Sequence, residues 1–171
     1  MKPAVSNSGF TLISLVIAML LMVILLTTAG TLFSFGVKSY RINMDRIEVQ
    51  ENLRIGLDRM SRELRHSTAV LSIDNSGTGR LNFSAVEPSL PSVNNVITYR
   101  IGISGDYESA SQLLRAVNGA GNNPIARYVT SLRVEPENNS ADNRTYHLTV
   151  TGSKGDSGSF SLSTTVTIRN G

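Results

Sequence analysis

The stretch that decides the fold is FTLISLVIAMLLMVILLTTAGTLFSFGV, residues 10–37. It contains no charged residue, and between Leu12 and Leu26 its only polar side chain is Ser14. A transmembrane helix needs about 20 apolar residues to cross the hydrocarbon core of a bilayer. The stretch therefore predicts a membrane-spanning helix over residues 10–37, behind a short polar segment that carries one cation, Lys2.

A charged stretch with helical periodicity follows at residues 38–66. Its apolar residues recur at spacings of three and four, which is typical of one face of an amphipathic helix. These residues are Val49, Leu53, Leu57, Met60 and Leu64. We expect one continuous helix from Phe10 to about Arg65, with an apolar first half and an amphipathic second half.

Residues 67–171 change to the two-residue period of β-strands. The clearest hairpin pairs residues 146–150 with residues 160–168 across a Gly/Ser-rich loop. Further strands are predicted at 70–73, 81–85, 97–103, 113–117 and, as one strand, 126–134, with connections at 74–79, 87–95 and 118–124. An antiparallel sheet of this kind has one face to bury, and the amphipathic helix is the available cover. The predicted fold is α+β: a long N-terminal helix packed on an antiparallel β-sheet head.

Composition limits the function classes. The chain has 171 residues and no cysteine, which predicts one domain plus an anchor and excludes disulfides and thiolate sites. The net charge is +3, but residues 38–66 hold seven Lys/Arg against five Asp/Glu, whereas residues 67–171 hold eight of each. A neutral head disfavours a broad nucleic-acid-binding face.

The start of the apolar stretch carries a specific motif. Residues 8–18, SGFTLISLVIA, resemble the N-terminal signature of type IV prepilins and of the pseudopilins of type II secretion and competence systems. The resemblance implies that a prepilin peptidase cleaves between Gly9 and Phe10 and methylates the new N-terminus at Phe10. A secretory signal peptide would instead be cleaved after its apolar segment. The implied organisation is a leader at 1–9, a transmembrane and filament-core helix at 10–37, an amphipathic helix at 38–66 and a head at 67–171.

Ser14 departs from the family pattern. Most family members have glutamate at this fifth mature position, and its carboxylate is thought to pair with the terminal amine of a neighbouring subunit. A carboxylate without that partner in the bilayer costs about 2.5–3.5 kcal/mol or more. A subunit at a filament tip lacks the partner and loses nothing by carrying serine, so the departure favours a minor or tip subunit. The alternative is tolerated drift that another subunit compensates.

The resemblance therefore implies a minor pilin or pseudopilin, similar to the J-type pseudopilins and W-type minor pilins, that initiates or caps a pilus or pseudopilus. The residues expected to bundle in the filament are Leu12, Ile13, Ser14, Leu15 and Ala18. The expected partners are other pilin or pseudopilin subunits, the prepilin peptidase, the inner-membrane assembly platform and membrane lipid. The expected location is a single-pass membrane protein with an extracytoplasmic head, which then enters the filament.

Two other function classes remain as alternatives. The head of a minor pilin could capture DNA or a secreted substrate, or the chain could be an anchored enzyme. Residues 155–158, GDSG, match the stretch around the nucleophile of chymotrypsin-like proteases, but turn chemistry explains them and only His66 and His147 exist as bases. Residues 74–76 and 142–143 offer oxygen ligands for calcium, yet too few for a site. We expect no enzymatic activity, no cofactor and no metal.

Overall fold

The computed structural model describes residues 11–87, 90–103, 111–138 and 143–169. Helix α1 (Leu12–Arg65) is 54 residues long, and its apolar first half and amphipathic second half form one unbroken element. The chain divides into two compact units, residues 1–41 and 42–171. The first unit contains the apolar part of α1, and the second contains the rest of α1 with all the strands.

The C-terminal end of α1 lies where the sequence predicts it. The backbone N–H of His66 donates to the carbonyl of Glu63 at 3.2 Å, and the Ser67 hydroxyl donates to the carbonyl of Leu64 at 2.7 Å. These bonds satisfy two carbonyl groups that the end of a helix leaves without an intrahelical partner. Arg62 and Arg65 occupy the last turn, where positive charge complements the helix dipole.

The second unit contains eight strands in the described residues, and all paired neighbours are antiparallel. One sheet holds five strands in sequence order: β1 (Ser67–Asp74), β2 (Arg80–Glu87), β3 (Leu90–Gly102), β4 (Gln112–Val117) and β5 (Ala120–Arg127). A second sheet holds β6 (Val129–Pro136), β7 (Thr145–Ser153) and β8 (Ser159–Thr167), with one 3-10 turn at Gly155–Ser157. The predicted α+β class is confirmed.

The core lies between α1 and the two sheets. All five apolar residues of the predicted helix face are buried: Val49, Leu53, Leu57, Met60 and Leu64. They share one hydrophobic cluster with side chains of both sheets, among them Phe83 and Tyr99 in the first and Leu148 and Val150 in the second. Since the chain has no cysteine, this packing takes the place of a disulfide framework.

The prediction of one strand over residues 126–134 is wrong. The strand is interrupted at Tyr128, which has a φ of 61° and separates β5 in the first sheet from β6 in the second. The carbonyl of Tyr128 accepts a hydrogen bond of 3.0 Å from the N–H of Ser153 in β7. The expected single sheet is therefore two sheets, and the chain passes from one to the other at a residue type that rarely adopts positive φ.

Two predicted connections are also wrong, because strands extend into them. The connection predicted at 118–124 shrinks to a turn at Asn118 and Gly119, whose φ values of 52° and 75° are those of a tight hairpin turn. Strand β5 then begins at Ala120 and includes Pro124, which an edge strand tolerates. The connection predicted at 87–95 shrinks in the same way, since β3 begins at Leu90.

The loop between β1 and β2 joins the two sheets. The Asn75 side chain donates to the carbonyl of Val134 at 2.8 Å and accepts from the N–H of the same residue at 3.0 Å. The N–H of Leu132 donates to the carbonyl of Thr78 at 2.8 Å. The loop therefore supplies β6 with hydrogen bonds on the side away from β7.

Candidate functional site

The candidate site is the apolar part of α1, because the described residues of the first unit leave its side chains uncovered. Residues 12–37 are exposed apart from Ser14, which is half-buried. Apart from Val37 at 38%, the large apolar side chains there expose about half of their surface or more, including Leu12 at 79% and Phe33 at 74%. By length and composition this helix can cross a membrane. A surface of this kind needs lipid or other apolar helices around it.

The predicted bundling residues lie together on the first turns of this helix. Leu12, Ile13, Leu15 and Ala18 are exposed, and Ser14 shares a helix face with Ala18 four residues later. The predicted cleavage residues Gly9 and Phe10 lie outside the described residues. The five predicted residues are therefore accessible on one stretch of helix, and their bundling stays a prediction.

The helix begins with a side-chain cap that the sequence analysis missed. The hydroxyl of Thr11 accepts a hydrogen bond of 3.3 Å from the N–H of Ser14. The Ser14 hydroxyl in turn donates to the carbonyl of Thr11 at 2.6 Å and accepts from its hydroxyl at 3.2 Å. Threonine three positions before serine was the available signal, because Thr is a favoured N-cap residue. The Ser14 hydroxyl is thus satisfied within its own chain.

The second half of the apolar stretch carries four more hydroxyl groups, all bonded to carbonyls of the same helix. Thr27 and Thr28 each bond carbonyls three and four residues earlier, at 2.9–3.0 Å. Thr31 donates to the carbonyl of Thr28 at 2.8 Å, and Ser34 to that of Gly30 at 3.0 Å. The helix continues through this region without a break. Each hydroxyl is therefore compatible with an apolar environment.

Glycine opens the surface of the same region. A Cβ placed at Gly30 or Gly36 would meet no heavy atom within 4 Å. Small residues on an apolar helix allow another helix to approach its backbone closely. The apolar stretch therefore offers two modes of contact, large side chains in the first half and accessible backbone in the second.

In the second unit, an ion-pair cluster fixes the β7–β8 loop against α1. The Lys154 ammonium lies 2.7 Å from a carboxylate oxygen of Asp45 and 2.6 Å from one of Glu48. It also lies 5.0 Å from the centre of the Tyr128 ring. Hydrogen bonds to Asp45 and then to Glu48 raise the pKa of Lys154 above its usual range. This cluster holds the loop next to the first helical turns of the unit.

A second cluster lies at the far end of the head helix. The Glu63 carboxylate pairs with Arg115 at 2.9 Å and with Arg59 at 3.4 Å. The fully buried ring of Tyr99 lies beside this pair, and burial raises the pKa of its hydroxyl, with the charge of Glu63 adding to the effect. In the described part of the chain, this hydroxyl makes no hydrogen bond of normal geometry. The charged groups here are paired with one another and support the helix on the sheet.

The alternative chemical motifs occupy turns and surfaces. The Ser157 side chain is buried, and its hydroxyl accepts from the N–H of Lys154 at 3.3 Å within its own turn. Asp74 forms an Asx turn with Ser76, and these hydrogen bonds lower the pKa of its carboxyl. His147 is exposed and bonds Thr165 across the strand pair at 2.9 Å. Over the described ranges, no group of three His, Asp or Glu side chains is placed to hold a metal ion.

The architecture is pilin-like, with a long apolar N-terminal helix whose second half packs on antiparallel sheet. Comparison with protein-family models, with curated proteins and with solved structures finds no match to this chain. A more specific family assignment therefore depends on the motif at residues 8–18 and on this architecture.

Proposed function

We propose that the chain is a minor pilin or pseudopilin. It is a structural, non-enzymatic subunit that initiates or caps a type IV pilus or a type II secretion or competence pseudopilus. The observation that carries the proposal is the exposed apolar surface of residues 12–37 on a helix that continues into the buried core of the head. The first half of such a helix is suited to lipid or a helical bundle, and the second half holds its own head.

The start of the helix supports a minor rather than a bulk subunit. A shaft subunit with glutamate at this position gains from pairing with the amine of a neighbour, whereas Ser14 is already satisfied by Thr11. A subunit at the end of a filament needs no such pairing. In this proposal Leu12, Ile13, Leu15 and Ala18 pack against other subunits, and the finer likeness is to J-type pseudopilins and W-type minor pilins.

The proposed assembly route rests on the resemblance of residues 8–18 to prepilins. The chain first resides in the inner membrane with its head on the extracytoplasmic side. The prepilin peptidase removes residues 1–9, and the assembly platform passes the mature subunit into the filament. The large apolar side chains between Leu12 and Leu26 contact lipid before this transfer and other subunit helices after it.

The deciding experiment is the mass of the N-terminal peptide after expression with the native prepilin peptidase. We expect a mature start at methylated Phe10. Gly9→Ala should abolish cleavage and leave Met1 in place, whereas the matched control Ser8→Ala should be processed as the wild type is. A wild-type start at Met1, or a cut beyond Leu26, would contradict the proposal.

Capture of DNA or a secreted substrate by the head is the second candidate. The ion pairs weigh against DNA, because Arg115 and Lys154 are each engaged by carboxylates. Phosphate binding by these two side chains would require breaking their ion pairs, and affinity for DNA depends on cations that can displace counterions. Binding of duplex or single-stranded DNA to the full chain in detergent, with an affinity that falls steeply with salt, would favour this candidate.

A further inference from the structure

The two sheets have four edges, and three of them have features that block pairing with another strand. Strand β1 has two register irregularities, between Ser67 and Ala69 and between Val70 and Ser72. Strand β5 has register irregularities too and contains Pro124. The outer side of β6 is bonded by the β1–β2 loop. Bulges, proline and covering loops are the usual means by which proteins protect a sheet edge.

Within the residues that the structure describes, the fourth edge, β8, has none of these features. It pairs with β7 in one uninterrupted register of nine residue pairs, from Thr145↔Thr167 to Ser153↔Ser159. It is the terminal strand of its sheet, and residues 159–167 (SFSLSTTVT) contain no charge and no proline. Long, regular and uncharged edges are those that pair with another chain.

The hydrogen bond of Ile168 identifies the backbone groups that β8 presents outward. Its N–H donates to the carbonyl of Arg144 on the β7 side at 2.8 Å. Both backbone groups of a strand residue point the same way, and the direction alternates along an antiparallel strand. The groups of residues 160, 162, 164 and 166 therefore face β7, and those of the odd-numbered residues face the free edge. The odd-numbered residues 159–167 are serines and threonines with exposed side chains, so no bulky side chain obstructs an added strand.

An apolar groove lies between β8 and α1. Leu162 of β8 lines it together with Ile47 and Ile55 of the helix. Ile47 exposes 58% of its surface and Ile55 exposes 51%, although both belong to the compact head. A strand added to β8 would direct alternate side chains to one face, and these would cover the exposed isoleucines.

The charges around the groove nearly cancel. Glu51, Arg54 and Asp58 line it, and Asp58 pairs with Arg62 at 2.8 Å. One acidic and one basic side chain are left, so the groove does not favour a partner segment of either sign. The occupant that fits is an uncharged strand with apolar residues at alternate positions.

We propose that the β8 edge binds such a strand from a different subunit of the same assembly, extending the three-stranded sheet over the helix. Strand β8 runs in the same direction as α1, because Arg46 bonds the carbonyl of Ser157 and the N–H of Arg169 bonds the carbonyl of Arg65. Antiparallel pairing of two β8 edges would therefore set two head helices in opposite directions. That arrangement conflicts with the proposed function, in which the subunits of one filament all point the same way.

The inference rests on the proposed function only in naming another subunit as the source of the strand. Pairing at the edge is a property of the head and is testable with a peptide. Processing at Gly9, which tests the proposed function, does not involve the head. Failure of one therefore leaves the other intact.

The binding experiment uses the full chain in detergent micelles and a synthetic peptide with the sequence of residues 158–168, which has the required pattern and no membrane anchor. Backbone amide exchange reports which groups pair. Without peptide, the amides of Ser161, Ser163 and Thr165 should exchange rapidly while those of the even-numbered residues are protected. Saturating peptide should slow exchange of the three outward amides by about tenfold or more.

Substitution at Ser163 provides the matched comparison. Ser163→Pro removes an outward N–H that β7 does not use, so it should abolish peptide binding while the even-numbered amides of β8 stay protected. Ser163→Ala keeps the N–H and should bind as the wild type does. If the proline variant loses protection along all of β8, Ser163→Lys takes its place, because an edge lysine blocks pairing without changing the backbone.

Several outcomes would overturn the inference. A peptide that is N-methylated at every second amide cannot complete the strand pairing and should not bind. Binding equal to that of the unmodified peptide would refute strand pairing. Slowed amide exchange outside β8 would refute it as well. A concentration-dependent dimer of the full chain that Ser163→Pro abolishes would show that the occupant is a second copy. In native membranes, a photo-cross-linker on Ser163→Cys, the sole thiol in the chain, should label an uncharged strand segment of a different single-span subunit. A cross-link to any other kind of segment would refute the proposed source.

Discussion

The close approach of β7 to the break at Tyr128 makes Gly152→Ala the sharpest test of the two-sheet fold. A Cβ at Gly152 would lie 2.4 Å from the carbonyl oxygen of Tyr128 and 3.0 Å from Cδ2 of Leu53. Relieving the first contact requires β7 to move by roughly 0.8–1 Å, because non-bonded carbon and oxygen atoms need a separation of about 3.2–3.4 Å. The 3.0 Å hydrogen bond from Ser153 to Tyr128 would lengthen by a similar amount and be lost.

The expected cost is the sum of two effects. Loss of the hydrogen bond costs about 0.5–1.5 kcal/mol. Displacing the fully buried Leu53 adds the cost of overpacking a core, about 1–3 kcal/mol. We therefore expect Gly152→Ala to lower the free energy of unfolding of the head by about 1.5–4.5 kcal/mol.

Pulse proteolysis of the full chain in detergent across a denaturant series measures this change without interference from the exposed helix. The matched control is Gly102→Ala in β3, where the added Cβ would meet Cδ1 of Leu114 at 2.9 Å, the flexible end of a side chain. That variant displaces a buried leucine but breaks no backbone hydrogen bond, so it should lose less stability than Gly152→Ala, by about the 0.5–1.5 kcal/mol of that bond. Equal stability of Gly152→Ala and the wild type would refute the close contact between β7 and the Tyr128 carbonyl.

Two further predictions concern the ionisable groups of the head. Lys154→Met should lower the free energy of unfolding by about 1–2 kcal/mol, because Asp45 and Glu48 lose their shared partner. Thermal unfolding at low and high salt measures this change, with Lys154→Arg as the charge-conserving control. An unchanged unfolding midpoint in Lys154→Met would contradict the prediction. Tyr99→Phe should reduce the loss of stability that the head shows above pH 10. Burial raises the pKa of Tyr99 in the folded head, so its stabilising contribution is fully present below the ordinary pKa of about 10. That contribution is lost progressively as the pH rises above 10, because the unfolded chain gives up the proton first. Unfolding free energies at pH 8 and pH 11 check this, and an equal alkaline loss in wild type and variant would refute it.

The helix was predictable because its signals are local and periodic. The spacing of Val49, Leu53, Leu57, Met60 and Leu64 specifies one buried face, and all five are buried. The alternation over Tyr146–Val150 and Phe160–Ile168 likewise gave the final hairpin, which β7 and β8 confirm. Patterns of this kind depend on neighbours within a few residues and need no knowledge of the tertiary fold.

The break between β5 and β6 was not predictable, because long-range contacts hold it. Residues 126–134 contain no glycine or proline to mark it. Tyr128 keeps its positive φ where β7 supplies a hydrogen bond to its carbonyl and Lys154 lies over its ring. For the same reason the sequence predicts the alternation of β8 but not its place at an unprotected edge, which is a property of strand order.

Four hydroxyl groups affect any transfer of the apolar helix between lipid and protein: those of Thr27, Thr28, Thr31 and Ser34. Each is bonded to a carbonyl of its own helix, so none needs a partner from a neighbouring molecule. Moving this segment between lipid and a protein bundle would therefore change its van der Waals contacts and leave these hydrogen bonds in place. None of these hydroxyl groups forms a hydrogen bond to a neighbouring molecule that would have to break before the helix moves. Side-chain packing with its neighbours therefore determines how tightly this part of the helix is held.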